Sequence, residues 1–407
     1  MVHFQSLAYG AIVAILLAVP ISEAKQQFIP NKYIVKFRKS ADIQQVDSLI
    51  HEKIESFNNE IKSSFGVAGA AGGNQTSPLC KIARKYTMGQ FKAFAGTLSK
   101  DIVKSLRGDP NVEYIEQEQV FTMAGVQNNP PNWGLARISQ RQRNPNAPYN
   151  FPNSAGQGID VYVIDTGINV RHRDFGGRAS LPVSFIEGEP TEDLNGHGSH
   201  VAGIVGGNTY GVAKKVRLIG VKVLGRDGRG STSGIIAGVN WVTRQARSTG
   251  RRSVINMSLG GGNSNALNAA VDAAVQAGIP VIVAAGNESQ DACNVSPANG
   301  RSAFTVGATD YYDNAASYSN WGRCVKIQAP GSNILSTYIG SPDARNSLSG
   351  TSMASPQVAG IAALYMSEGS ANSPQSVYNS LTGRATRNVV RGLRGNSPNL
   401  MAYSLTN

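Results

Sequence analysis

The sequence predicts an α/β protein: a mainly parallel sheet with helices on both faces, preceded by a small α+β module. Three observations predict it. From Trp133 onward, apolar runs of strand length alternate with helix-length stretches rich in small residues, the pattern of strands joined through crossover helices. Residues able to do chemistry stand at the ends of those runs, where open parallel sheets collect their active groups. A segment before Trp133, richer in Lys and Glu, carries its own strand and helix patterns and is set off by the polar, proline-bearing stretch 127–132.

In chain order, residues 7–19 form an apolar run followed by Ser22-Glu23-Ala24. Small residues at those offsets read as a secretory leader cut after Ala24, although no Lys or Arg precedes the run. The run is too short to span a bilayer comfortably. Next come a strand at 33–37, an amphipathic helix at 41–57, a strand at 91–98, a helix at 100–107 and a strand at 112–120. Their order suggests a β-α-β-β-α-β, ferredoxin-like module. Residues 66–77 are Gly/Ala-rich and read as a loop, with a glycosylation sequon at Asn74. In the larger part, buried-strand runs lie at 159–164, 218–224, 254–257, 280–284 and 303–306. Helical periodicity falls at 201–205, 233–247 and 266–277.

The formal charge is +12 over 407 residues, but the basic residues are scattered or paired, with no aromatic interleaving. That describes a solvated surface and argues against a nucleic-acid partner. Three cysteines suit an oxidising compartment with one bridge and one thiol left over. Cys293 and Cys324 lie in the C-terminal part, Cys80 in the N-terminal module.

Four residues stand where chemistry would need them. Asp165 ends the run Val161-Tyr162-Val163-Ile164, and a carboxylate there must be paired or hydrogen-bonded. His197 lies between glycines at a helix start, whereas His172, in Arg171-His172-Arg173-Asp174, reads as an exposed loop residue. Asn287 ends Val281-Ile282-Val283-Ala284-Ala285-Gly286 and carries an amide able to donate to an oxyanion. Ser352 follows Gly350-Thr351 at the head of a run of helix formers, among N–H groups that no earlier carbonyl can pair. Each has a plainer role open to it: a turn cap for Asp165 or Asn287, a helix cap for Ser352. His197 and His200 share a helix, but no Cys or third His completes a metal site.

Together the stretches Val163-Ile164-Asp165-Thr166-Gly167-Ile168, His197-Gly198-Ser199-His200-Val201-Ala202-Gly203, Ala284-Ala285-Gly286-Asn287 and Gly350-Thr351-Ser352-Met353-Ala354 resemble the motifs of secreted subtilisin-like serine proteases. The likeness is close to the fungal proteinase K and cerevisin group. The order Asp, His, Ser is that of subtilisin, the reference case for this arrangement. The resemblance implies a leader at 1–24, an inhibitor-type propeptide at 25–125 and a catalytic domain at 126–407.

It further implies that Ser352 attacks the scissile carbonyl, His197 relays the proton, Asp165 orients the imidazole and Asn287 stabilises the oxyanion. Carried over position by position, Ser258-Leu259-Gly260 and Gly228-Arg229-Gly230 match the two edges that grip an extended peptide. Ala284, Ala285 and Gly286 match the wall of the first pocket, which suits an apolar or aromatic P1 side chain. Arg229 would add an acidic preference further out. Cys293 and Cys324 match a bridge of the cerevisin branch, and Asn294-Val295-Ser296 is a second sequon.

Three positions depart from the family pattern, one of them Thr232, which stands where proteinase K-like members often have a tyrosine lining an outer pocket. Gln357 replaces a second histidine, and Lys326 stands where proteinase K has a calcium-binding aspartate. A charged lysine cannot ligate calcium, so the expectation is no metal cofactor at that position. The expected protein is a monomeric, self-processing zymogen, extracellular or else vacuolar, that cleaves proteins and binds its own propeptide. A non-peptide acyl hydrolase fits less well, because no Gly-x-Ser-x-Gly elbow is present and such an enzyme needs no propeptide.

Overall fold

Residues 28–64, 80–88, 91–119, 124–144 and 146–405 are described by a computed structural model. The expected leader with its cut after Ala24, and the Asn74 sequon, lie outside the described residues. The chain divides into two compact units, with the boundary between Phe121 and Thr122.

The first unit runs β1 (Phe28–Phe37), α1 (Ile43–Ser64), β2 (Lys81–Met88), β3 (Phe91–Thr97), α2 (Lys100–Arg107) and β4 (Val112–Gln119). Its strands form an antiparallel sheet in the order β2-β3-β1-β4. Val46, Ile50 and Ile54 recur at four-residue spacing along α1 and are buried with Val35, Phe94, Leu98, Ile102 and Leu106. Ser99 caps α2 by accepting the Ile102 N–H at 3.2 Å. Strand β2 was not among the expected elements. It is an edge strand, and Lys81, Arg84 and Lys85 give it the charge that edges tolerate and apolar-run reading passes over.

The second unit opens with β5 (Ala124–Gln127), α3 (Trp133–Ile138) and β6 (Tyr149–Pro152). There follow β7 (Asp160–Asp165), β8 (Ala179–Ser184), α4 (His197–Gly206), β9 (Arg217–Lys222), α5 (Thr232–Thr249), β10 (Ser253–Met257), α6 (Asn265–Gln276) and β11 (Val281–Ala284). Strands β12 (Phe304–Thr309) and β13 (Val325–Pro330) precede a ribbon of β14 (Ile334–Thr337) and β15 (Arg345–Leu348). The chain ends in α7 (Thr351–Ser367), α8 (Pro374–Arg384), β16 (Thr386–Arg387) and β17 (Leu400–Met401).

Nine of these strands form one sheet, ordered β16-β17-β13-β12-β11-β10-β7-β9-β8. All its pairings are parallel except β16 with β17. Every residue of β7, β10, β11 and β12 is buried, as expected where helices cover both faces. On one face α4 and α7 pack with Val161, Val163, Val254 and Val306; on the other α5 and α6 cover Tyr162, Ile164, Ile255 and Val283.

Helix α7 is buried on all sides from Met353 to Met366, so it is a core helix with no solvent face. Strands β8 and β13 escaped the sequence reading for a common reason: each interleaves exposed or polar residues, such as Ser180, Lys326 and Gln328, with its apolar ones.

Candidate active site

The carboxyl edge of one sheet carries the four sequence-predicted residues as two pairs, Asp165 with His197 at the head of α4 and Asn287 with Ser352 at the head of α7. Asp165, the last residue of β7, is fully buried, and its Oδ1 accepts from the Thr166 N–H at 2.7 Å and from His197 Nδ1 at 2.8 Å. A carboxylate only accepts, so the ring nitrogen facing it must be the donor. That choice of tautomer leaves Nε2 with a free lone pair.

His197 is the first residue of α4, and its side chain is 26 % exposed. The helix approaches the turn after β7 so closely that a Cβ on Gly198 would lie 2.2 Å from the Gly167 carbonyl oxygen. Only glycine permits that contact. Asp193, which the sequence reading did not single out, ties the two segments together. Its Oδ1 accepts from Thr166 Oγ1 at 2.9 Å and Gly196 N–H at 2.8 Å, and its Oδ2 from Ser199 N–H at 2.9 Å and Ser199 Oγ at 2.6 Å. An acidic residue just before a helix was the available signal.

Burial pulls the His197 pKa down, but the charge and hydrogen bond of Asp165 and the charge of Asp193 outweigh it. The net shift is upward from 6.5. Lys222, also missed, is fully buried opposite Asp165 in the sheet. It donates to the carbonyls of Thr166 and Leu224 and pairs with Glu189 at 3.0 Å.

Asn287 follows Gly286, whose φ of +100° and crowding by Asn320 exclude a side chain. Asn287 Oδ1 accepts from the Thr351 N–H at 2.8 Å and from Thr351 Oγ1 at 3.0 Å. With its carbonyl end engaged, the amide nitrogen is the end left to face the cavity. A Cβ placed on Gly350 would lie 3.4 Å from Asn287 Nδ2 and 3.6 Å from the Ser352 nitrogen, so the two donors flank one point. Ser352 is the second residue of α7, where its N–H precedes the first helical hydrogen bonds. Its hydroxyl donates to the Ser258 carbonyl at 3.3 Å. Proton transfer to the imidazole therefore requires that hydroxyl to turn.

Beside Ser352 lies a cavity of about 430 Å³, whose walls include Ser258, Leu259, Gly260, Ala284, Gly286 and Asn287. Ala285 is buried behind that wall, against Ala292, Val295 and Val325. Asn294, the exposed sequon residue, is at the rim. Its neighbour Cys293 is bonded to Cys324, with Cα atoms 5.4 Å apart, which ties the rim to the start of β13. Cys80 is a buried free thiol. Gly228, Arg229 and Gly230 belong to a turn closed by Gly225 N–H on the Arg229 carbonyl at 2.8 Å. Asn195 Nδ2 joins that turn to the His197 segment through the Arg226 carbonyl.

His172 corrects the sequence reading: it is only 4 % exposed. Its Nδ1 accepts the Asp174 N–H, and its Nε2 donates to the Ala344 carbonyl at 2.7 Å. The ring closes a short turn, and local polarity concealed that partner 172 residues away.

The subtilase family profile matches residues 156–396. The chain belongs to the subtilase family. A second profile, peptidase inhibitor I9, matches residues 32–124. The subtilisin-like serine protease AsES of Sarocladium strictum is 49 % identical over 320 residues, 78 % of this chain and 81 % of that one. The cuticle-degrading protease of Metarhizium anisopliae is 43 % identical over 364 residues, 88 % of this chain and 91 % of that one. A solved cold-adapted subtilisin-like serine proteinase is 47 % identical with a TM-score of 0.64, covering 68 % of this chain and 98 % of its own. This subtilase is thus a serine protease made with an inhibitor propeptide, acting on protein substrates. Among the described residues no helix is long and apolar enough to cross a membrane.

Proposed function

We propose that the protease is an endopeptidase in which Ser352 attacks the scissile carbonyl as His197 Nε2 takes its proton. Asp165 holds the imidazole tautomer and stabilises the imidazolium. The Asn287 amide and the Ser352 N–H receive the oxyanion, and His197 then returns the proton to the leaving amine. The observation that carries this reading is the 2.8 Å Asp165–His197 bond, made while Thr351 turns the Asn287 amide toward the head of α7.

The edges Ser258-Leu259-Gly260 and Gly228-Arg229-Gly230 would pair with an extended substrate. The small side chain of Ala284 and bare Gly286 leave the cavity able to take an apolar or aromatic P1 group. The Arg229 guanidinium would favour acidic residues farther along. Residues 1–24 would direct secretion, with the mature enzyme a monomer starting near Val126 after self-cleavage. A glycan at Asn294 would sit at the cavity rim.

Calcium at position 326, where proteinase K has a ligating aspartate, does not fit the residues present. Lys326 and Arg301 line one cavity of about 510 Å³, and two cations repel a third.

The test is expression of the full chain as Ser352→Ala. The variant should accumulate with its propeptide attached and clear no casein. N-terminal sequencing of the wild-type protein from culture fluid should begin between residues 124 and 127. Full processing by Ser352→Ala alone would overturn the assignment.

A further inference from the structure

Proline at position 356 leaves a gap beneath the nucleophile. Pro356 lies inside α7, four residues after Ser352. In an α-helix the N–H of residue 356 would bond to the carbonyl of residue 352, and proline has no N–H to give. The Ser352 carbonyl accepts instead from Ser258 Oγ, at 2.9 Å. Ser258 stands just past the end of β10, so the substitute donor comes from the sheet.

The direction of that bond is determined by its neighbours. Ser355 Oγ donates to Asn256 Oδ1 at 2.8 Å, which turns the Asn256 amide nitrogen toward Ser258 Oγ, 3.0 Å away. Ser258 Oγ accepts there, and its single proton is left for Ser352. The chain of bonds leaves α7 at Ser355, crosses β10 at Asn256 and returns to α7 at Ser352. Asn256 and Ser355 are fully buried and Ser258 is 3 % exposed. Water therefore does not compete, and each bond polarises the next.

We propose that the Ser258 hydroxyl is a positioning residue for catalysis: it replaces the helix hydrogen bond that Pro356 removes and so holds the Ser352 backbone where the hydroxyl and the oxyanion N–H are aligned. This rests on Ser352 being the nucleophile. It is separate from the main-chain role of Ser258 on the substrate edge, which any side chain at that position would preserve.

The experiment uses processed enzyme, activated in trans by wild-type protease where self-cleavage is slow and counted by active-site titration. Ser258→Ala should lower kcat on a peptide substrate on the order of tenfold, because a misplaced nucleophile loses that much readily. KM should stay within about twofold, since the edge backbone is kept. Sulfonylation of Ser352 by a sulfonyl fluoride, with loss of fluoride, should slow in parallel. Ser258→Thr, which keeps the hydroxyl, should recover most of the rate.

Pro356→Ala restores an N–H opposite the Ser352 carbonyl. In that background the Ser258→Ala loss should shrink to about threefold or less, the signature of two donors serving one acceptor. If Ser258→Ala does not fold, Ser355→Ala tests the far end of the same chain and should lower kcat in the same sense with KM kept. Wild-type kcat and sulfonylation rate in Ser258→Ala overturn the proposal, as does an equal loss with and without Pro356. An active Ser352→Ala would instead overturn the assignment of the nucleophile.

Discussion

Asn287 has two hydrogen-bonding ends, and Thr351 decides which one faces the cavity. Because both donors of Thr351 engage Oδ1, rotating the amide would set N–H against N–H and O–H. The amide is therefore a preset donor, the arrangement that stabilises developing charge without reorganisation. Asn287→Ala should reduce kcat about 10²–10³-fold, a range that comes from the equivalent loss in subtilisin itself. The thermal midpoint should fall only modestly, because Asn287 itself is exposed and the cost is the loss of its oxygen as acceptor for the buried Thr351 N–H and hydroxyl. Matched kcat values in variant and wild type would refute the donor role. His197 yields a second residue-scale prediction. Its pKa is raised from 6.5, and the base must be neutral, so the acid limb of kcat/KM should lie above pH 6.5. Asp193→Asn removes one of the raising charges and should move that limb to lower pH; a limb that stays put would disconnect Asp193 from the imidazole.

At the scale of elements, α4 is held by the β14–β15 ribbon through a second histidine. His200 is fully buried, and its Nε2 donates to the carbonyls of Ile334 and Asn346, 3.0 Å each, one from each strand. Its Nδ1 is buried with no hydrogen-bond partner among the described residues, so a proton added there would find no acceptor among them. Burial is the main cause that brings its pKa down to about 4; the two carbonyls oppose it, and nearby His197 adds to it. An unfolded histidine titrates near 6.5, so between about pH 4 and 6.5 the unfolded chain binds the extra proton. Stability from this group is complete above pH 6.5 and falls away as pH drops toward 4. The difference is on the order of 3 kcal/mol for a shift of this size. Thermal melts of the inert Ser352→Ala protein should decline over that window, and His200→Gln should flatten the decline. An unchanged slope would exclude His200 as its source. Elements such as β7, β10 and β11 were legible because both their faces are buried and their residues read as unbroken apolar runs. Strands β2, β8 and β13 were not, since charged or half-exposed positions interrupt them.

For the whole molecule, the Cys293–Cys324 bridge and Lys326 bear on one region. The bridge ties the cavity rim to β13 two residues before Lys326. With a cation where a calcium ligand would be needed, chelation should cost little: EDTA should shift the thermal midpoint by no more than a few degrees. A fall of tens of degrees would show that calcium holds the fold. Lys326→Asp should then be the variant that gains sensitivity to chelator, since it replaces a repelling group with an oxygen ligand.

The sequence by itself determined the class of chemistry. Asp165, His197 and Ser352, each with a glycine within two residues, appear in one order at strand ends and helix starts, and such motifs are local in the chain. It also led to the expectation of a smaller module ahead of a larger one, because their charge content and periodicity differ. The tertiary structure alone decided how those groups are held. Asp193 bridges two turns, Thr351 orients an amide 64 residues away in sequence, and Ser258 donates to a carbonyl left open by Pro356. It also buried His172, which reads as exposed when only its charged neighbours are considered. The physical reason is the same in each case. A hydrogen bond between distant segments depends on where the sheet and helices place its two ends, and neither end carries a mark of its partner in the local sequence.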